Sequence, residues 1–171
     1  MRKLLILGAG GYGKTVADVA RQLGTYQKIG FLDDARGGSE ILGKCEEYHL
    51  FCHGDTEVYP AFGDNQVRKM WMERLLEEDI PVATLVHPQA YVSPTAKLGE
   101  GVVVLPMAVV NTGCTVEDGC IINIGTLVDH DCVVEEYVHL CPGVVVKAQN
   151  QIPGETRVES GTVILNGEYP L

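Results

Sequence analysis

From Val92 onward the chain places an aliphatic residue at every sixth position: Val92, Leu98, Val104, Val110, Val116, Ile122, Val128, Val134, Leu140, Val146, Ile152, Val158 and Ile164. Two residues before each runs a second series: Ala90, Ala96, Val102, Ala108, Cys114, Cys120, Thr126, Cys132, Val138, Val144, Asn150, Thr156 and Thr162. Its members are small or β-branched, apart from Asn150. A period of six fits neither a simple helix nor a hairpin sheet. It fits a chain that turns a corner every six residues, so that three short strands close one triangular coil. The aliphatic residue fills the interior of each flat side, and the smaller one fits where the wall bends inward. β-Branched enrichment suits short parallel strands stacked in register. Gly99, Gly101, Gly113, Gly119, Gly125, Gly143, Gly154 and Gly161 fall between the aliphatic positions, where corners belong. A β-sandwich explains alternate apolar positions but not an unbroken six-residue phase from 92 to 164. Three positions per coil predict just over four coils of a parallel β-helix.

The preceding residues follow another pattern. Arg2–Leu7 reads as a buried strand, followed by the loop Gly8-Ala-Gly-Gly-Tyr-Gly-Lys-Thr15 and a helix over Val16–Leu23. Ile29–Leu32 reads as a second strand ending in Asp33-Asp34, and Asn65–Glu78 as an amphipathic helix. Pro81 opens a short strand, Val82–Val86, and His87-Pro88 marks the join to the coils. The predicted division is residues 1–86, a small α/β unit with a parallel sheet, and residues 87–171, the β-helix.

The glycine loop satisfies two patterns. Gly8, Gly10 and Gly13 match G-x-G-x-x-G, and Gly8, Gly13, Lys14 and Thr15 match the P-loop G-x-x-x-x-G-K-[ST]. Both set backbone N–H groups and a helix N-terminus against phosphate. Asp33, at the end of the next strand, stands where a dinucleotide fold places its ribose-binding acid. A P-loop ATPase needs a larger sheet and a metal-binding aspartate on another strand, and a full dinucleotide domain is too large. Half of one, holding a nucleotide-linked ligand, fits the length. The remaining alternative is a glycine turn that serves only strand–helix packing.

Composition narrows the partners. Of 171 residues 46% are hydrophobic and 21% charged, and the formal net charge of −10 argues against nucleic acid, which needs clustered Lys and Arg. The opening apolar run is too short for a signal peptide, and no stretch approaches the roughly 20 apolar residues that span a bilayer. No membrane association is expected, and the cytoplasm is the default location. The six cysteines read as free thiols. Cys45, His49, Cys52 and His53 match no zinc spacing, so no metal is expected.

In the coils, His130 follows the interior Val128 by two residues and is flanked by Asp129 and Asp131. A carboxylate beside an imidazole fixes its tautomer and supports its charge, which suits a general base near neutral pH. The alternative is a solvated histidine on an acidic surface. His139 immediately precedes the interior Leu140, and stacking of the coils is expected to bring it near the same face.

The loop Gly8–Gly13, Phe31-Leu-Asp-Asp34 with Ile41-Leu-Gly43, the join Leu85-Val-His-Pro88, Ile122-Asn123, Val128-Asp-His-Asp-Cys132 and Val138-His139-Leu-Cys-Pro-Gly143 together give the chain a family likeness. It resembles the sugar O- and N-acyltransferases of the sialic acid O-acetyltransferase/PglD-like group, a branch of the left-handed β-helix acyltransferases, over almost its whole length. The resemblance implies a Rossmann-like N-terminal half-domain for a nucleotide sugar and a left-handed β-helix. It also implies a homotrimer with active sites between neighbouring copies, acetyl-CoA as donor, and a free or nucleotide-activated sugar as acceptor. His130 would be the base, supported by Asp131. His139 would lie near the thioester, with Gly143, Lys147 and Ala148 along the acetyl-CoA. Gly8, Gly10, Gly11, Tyr12, Gly13 and Asp33 or Asp34 would hold the acceptor.

Three features set the chain apart from its group. Tyr12 stands where relatives often carry His. The coils after Gly143 look few, so the acetyl-CoA site is expected to be shortened. From Ala90 onward, Lys97, Lys147 and Arg157 face ten carboxylates, a charge balance that opposes an anionic donor. Two functions therefore stand side by side: acetyl transfer to an amino or hydroxyl group of a sugar, or a non-catalytic trimer that binds a nucleotide sugar or a partner protein.

Overall fold

The computed structural model describes residues 2–171. The chain forms two compact units, one running through Ala83 and the other from Thr84 to Leu171.

The first unit is built on β1 (Lys3–Leu7), whose run Leu4–Leu7 is buried throughout, as expected of a central parallel strand covered on both faces. Around it lie α1 (Gly11–Leu23), β2 (Lys28–Leu32), β3 (Ile41–Gly43), a 3-10 turn (Cys45–Leu50), β4 (Thr56–Pro60) and α2 (Asn65–Glu77). The sheet order is β3-β2-β1-β4, all parallel. Helix α1 buries Val16, Ala17, Val19 and Ala20 and stops at Gly24, which takes a left-handed conformation (φ 67°) closed to most side chains. Helix α2 is capped by the Asp64 carboxylate, which accepts from the Val67 N–H at 3.0 Å. A core of Leu5, Leu7, Leu32, Cys45, Tyr48, Val58, Trp71 and Leu75 fills one side.

Three local expectations change. Helix α1 starts at Gly11 rather than Val16, so the second half of the glycine loop is its first turn. N–H groups there have no intrahelical partner in any case, and glycine costs little where packing demands it. β3 and β4 add two strands that the sequence pattern did not single out. The expected strand Val82–Val86 divides: Val82 bridges Val58 in the first unit, while Leu85–Val86 pairs with Val103–Val104 in the second. The physical reason lies in the hexad phase, since Val86 stands six residues before Val92.

The second unit is the left-handed parallel β-helix. Two-residue strands stack at intervals of 18 residues into three parallel sheets of four, five and five strands. Ile121–Ile122, for example, pairs with Val103–Val104 on one side and His139–Leu140 on the other. The interior column from Val104 to Ile164 is buried, and Cys114, Cys120 and Cys132 are fully buried small residues on the second series. Asn150, the misfit, is satisfied: its Nδ2 donates to the Lys147 and Leu165 carbonyls, and its Oδ1 accepts from the Tyr169 N–H.

The corners obey one rule. Every sixth residue from Gly101 to Gly167 has φ between 56° and 74°. Seven of these twelve are glycine; Met107, Asp131, Tyr137, Gln149 and Glu155 are not. Side chains resist this region, Asp and Asn least. Gly99 and Gly154 lie off this series. Gly99 is required for a different reason, because a Cβ there would sit 2.8 Å from the Asp118 backbone nitrogen and 2.9 Å from the Glu117 carbonyl carbon.

The outward strand positions differ from face to face. One sheet carries Lys97, Thr115, Val133 and Gln151; a second carries Leu85, Val103, Ile121, His139 and Arg157. The third carries only apolar residues: Tyr91, Val109, Leu127, Val145 and Val163. Among the described residues, no helix is long and apolar enough to cross a membrane.

Candidate functional site

Candidate chemistry occurs once in each unit. In the first, the turn from β1 into α1 is fixed by Gly8 (φ 97°), whose N–H donates to the Leu32 carbonyl at 2.8 Å. Asp33 ties the turn to the end of β2. Its Oδ2 accepts from the Ala9 N–H at 2.7 Å, and its Oδ1 accepts from the N–H groups of Ala35 and Arg36 at 2.9 and 2.7 Å. Burial alone would raise the Asp33 carboxyl, but these N–H bonds outweigh it and hold it below its ordinary value. Asp34 turns elsewhere and accepts from the Cys45 N–H at 3.0 Å.

The glycines of the loop are not equivalent. A Cβ on Gly13 would stand 2.0 Å from the Gly8 carbonyl oxygen, so this position is set by the close approach of α1 to the turn. A Cβ on Gly10 or Gly11 would meet nothing within 4 Å. Gly10 is the N-cap of α1 and offers no side chain to the first-turn N–H groups, which leaves them available to an anion. Tyr12 bonds the Tyr59 hydroxyl at 2.6 Å, and burial, then Tyr59, keeps its proton bound well above the usual range. Beside the turn is a cavity of about 430 Å³ whose lining includes Ala9, Lys14, Phe31, Arg36, Ser39 and Glu40. Lys14 and Arg36 set two cations against the one carboxylate, Glu40, in its lining. Arg36 was not among the expected residues; the Asp-Asp-Ala-Arg run after β2 was its only signal.

In the second unit, His130 occupies an exposed corner. Asp131, at the left-handed position (φ 56°), folds its carboxylate back so that Oδ2 lies 2.8 Å from His130 Nδ1. Asp129 Oδ1 accepts from the His130 N–H at 2.8 Å and from Asn111 Nδ2 at 3.2 Å. The bond to Asp131 first, then the field of Asp129, raises the His130 imidazole above its ordinary value. The Asp129 carboxyl is held low, chiefly by the His130 N–H. A neutral His130 thus has Nδ1 committed to Asp131 and Nε2 directed away as a proton acceptor.

Next to this corner runs a groove of about 250 Å³, walled by Val109, Leu127, Val145 and Val146 with Asn111, Asp129 and Lys147 at its edge. Ala148 and Gln149 stack 18 residues above His130 and Asp131, and the Gln149 N–H donates to the His130 carbonyl. Gly143 is a left-handed corner (φ 70°) whose N–H is taken by the Ile124 carbonyl at 2.9 Å.

His139 lies on a different face from the His130 corner, so stacking within one chain does not bring the two histidines together. The reason is arithmetic: nine residues are half of an 18-residue coil, and stacking joins only residues a full coil apart. Asn123 Nδ2 lies 3.0 Å from His139 Nε2, and Arg157 Nη1 lies 3.2 Å from His139 Nδ1. Neither Asn123 nor Arg157 was expected in the site. Among the described residues, no group of three or more His, Cys, Asp or Glu is placed to hold a metal ion.

The PglD N-terminal domain family matches residues 3–75. The acetyltransferase domain of PglB from Neisseria gonorrhoeae is 37% identical with a TM-score of 0.92, over 95% of this chain and 82% of that one. The same domain in complex with acetyl coenzyme A gives 38% identity and a TM-score of 0.90, over 95% and 81%. PerB from Caulobacter crescentus, in complex with CoA and GDP-perosamine, is 26% identical with a TM-score of 0.78, over 98% and 90%. A UDP-N-acetylbacillosamine N-acetyltransferase of Bacillus subtilis is 32% identical over 61% of this chain, which spans about half (52%) of that protein's length.

Proposed function

The chain belongs to the PglD-like family of hexapeptide-repeat sugar acetyltransferases, and on that premise we propose that it moves an acetyl group from acetyl-CoA to an amino group of a nucleotide-activated sugar. The observation that carries this reading is the His130–Asp131 pair, set on an exposed corner beside an apolar groove edged by Lys147. The groove fits the donor: its valine and leucine walls suit an alkyl arm, and Lys147 supplies a local cation in an otherwise acidic unit. The family likeness puts Gly143 and Ala148 along the same donor. The N-acetyltransferase activity in a relative's name favours nitrogen over oxygen as the acceptor atom.

The unit through Ala83 holds the nucleotide part of the acceptor. The uncapped start of α1 at Gly10, Gly11, Tyr12 and Gly13, with Lys14 and Arg36, faces its phosphates. Gly8 and Asp33 shape the turn, and Asp34 braces the segment after β2. His130 Nε2 takes the proton from the acceptor amine as its nitrogen attacks the thioester carbonyl. The carbon–sulfur bond then breaks, the amide forms, and the thiolate leaves to be protonated as free CoA.

The carboxylate partner sets the pH dependence. A base works only when unprotonated, and Asp131 is the leading cause of the raised His130 value. Activity is therefore expected to fall as pH drops through a point above the ordinary histidine value. Asp131→Asn keeps a residue that tolerates the left-handed corner but removes the charge, so this acid limb moves to lower pH. Profiles of kcat/KM against pH for both proteins check this, and an unmoved limb contradicts it.

His139 and His130 belong to one active site only if neighbouring copies meet. The wholly apolar face of Tyr91, Val109, Leu127, Val145 and Val163, which includes walls of the donor groove, supports a homotrimer in which the donor arm lies between neighbouring copies. Light scattering is expected to give a trimer for the native chain and a smaller species for Leu127→Glu. A monomeric native chain removes the shared site.

A further inference from the structure

His139, Arg157 and Glu159 form a polar chain on the β-helix. His139 and Arg157 are register partners on adjacent strands of one sheet, and both project outward. Arg157 places Nη1 3.2 Å from His139 Nδ1, while its Nε donates to Glu159 Oε1 at 3.1 Å. The guanidinium is thus held at both ends. His139 is 6% exposed, whereas Arg157 is half-exposed and Glu159 largely in solvent. On the other side of the ring, Asn123 Nδ2 is 3.0 Å from Nε2.

Both neighbours are donors as placed, and a neutral imidazole accepts at only one nitrogen. The contest is settled by charge. Hydrogen bonds from ionised donors are about twice as strong as those from neutral amides, and a guanidinium has no acceptor to offer. Asn123 has one: its amide can turn so that Oδ1 meets the ring, at the expense of the bond that Oδ1 accepts from the Ile124 N–H at 2.8 Å. We propose that Arg157 is a positioning residue for His139, donating to Nδ1 so that the ring proton resides on Nε2, facing Asn123 Oδ1, with the ring plane locked. His139 is then a hydrogen-bond donor of fixed direction instead of a second base. This rests on the reading of His139 as part of the acyl-transfer site, but the tautomer itself does not depend on any activity.

The test pairs histidine nitrogen NMR of the full chain with steady-state kinetics. In the native protein the His139 signals are expected to show Nδ1 unprotonated and Nε2 protonated. In Arg157→Gln the proton redistributes towards Nδ1, with Asn123 donating to Nε2. The same variant is expected to lose about tenfold in kcat, within the range for removing a group that orients a functional histidine, with KM for donor and acceptor unchanged. Arg157→Lys, which keeps a charged donor, restores most of the rate. A native ring protonated on Nδ1, or a spectrum unmoved by Arg157→Gln, overturns the proposal whatever the rates. A shifted tautomer with unchanged kcat supports the control of His139 by Arg157 and overturns only the reading of His139 as part of the acyl-transfer site. If the native chain transfers no acetyl group, the reaction assigned above fails, while the NMR result still decides whether Arg157 controls His139.

Discussion

His130→Ala is expected to lose at least about a hundredfold in acetyl-transfer turnover, the lower end of what a positioned general base contributes. The loss is expected in kcat with the coils intact. The His130 side chain is half-exposed, and its ring bonds the Asp131 carboxylate. Its backbone carbonyl, which accepts from the Gln149 N–H, is untouched by the substitution. The left-handed corner also survives, because it belongs to Asp131 and not to His130. Turnover measured beside a thermal melt separates the two effects. A variant that keeps most of its rate takes the base role away from His130, and one that melts early returns this residue to a structural role.

The second large effect is expected from Gly13→Ala. The added methyl would stand 2.0 Å from the Gly8 carbonyl oxygen and 3.0 Å from its carbon, both backbone atoms that no rotamer change can move aside. Either α1 backs away from the turn or Gly8 shifts, and Gly8 is held by its bond to the Leu32 carbonyl. Overpacking of this kind costs about 1–3 kcal/mol and sometimes more. It also moves the first-turn N–H groups proposed to face the phosphates. A lowered melting temperature and loss of nucleotide-sugar binding are therefore expected together. Gly10→Ala is the control: its methyl meets nothing, so the expected cost in stability is only that of the poorer N-cap, and a loss of binding beyond it reports crowding of the ligand. Binding lost in neither variant would leave the loop as a packing turn.

The coil interior was legible because one side chain per flat side repeats at a fixed interval, and volume selection acts on every copy. The corners were legible only where glycine marks them. Met107, Asp131, Tyr137, Gln149 and Glu155 adopt the same left-handed φ without any compositional sign, since stacking bonds from adjacent coils hold them there. β3 and β4 escaped notice because three residues, or five ending in Pro60, show too little alternation. In the site, His130 and Asp131 were readable as sequence neighbours. Arg157 beside His139 was not, because their contact depends on an 18-residue stack, a distance set by three sides of six. Asp33 was readable by position, but its three backbone partners, which make it a brace of the glycine turn, depend on the path of the chain through Ala35 and Arg36.

The most direct test of the central claim is mass-spectrometric detection of acetyl transfer. The purified chain is incubated with acetyl-CoA and a panel of UDP-, GDP- and CMP-linked amino sugars, with His130→Ala alongside. The expected result is one acetylated nucleotide sugar and matching release of free CoA, both nearly abolished in the variant. Nucleotide-sugar binding with no acetyl transfer to any acceptor would contradict the account and identify the chain as a binding scaffold.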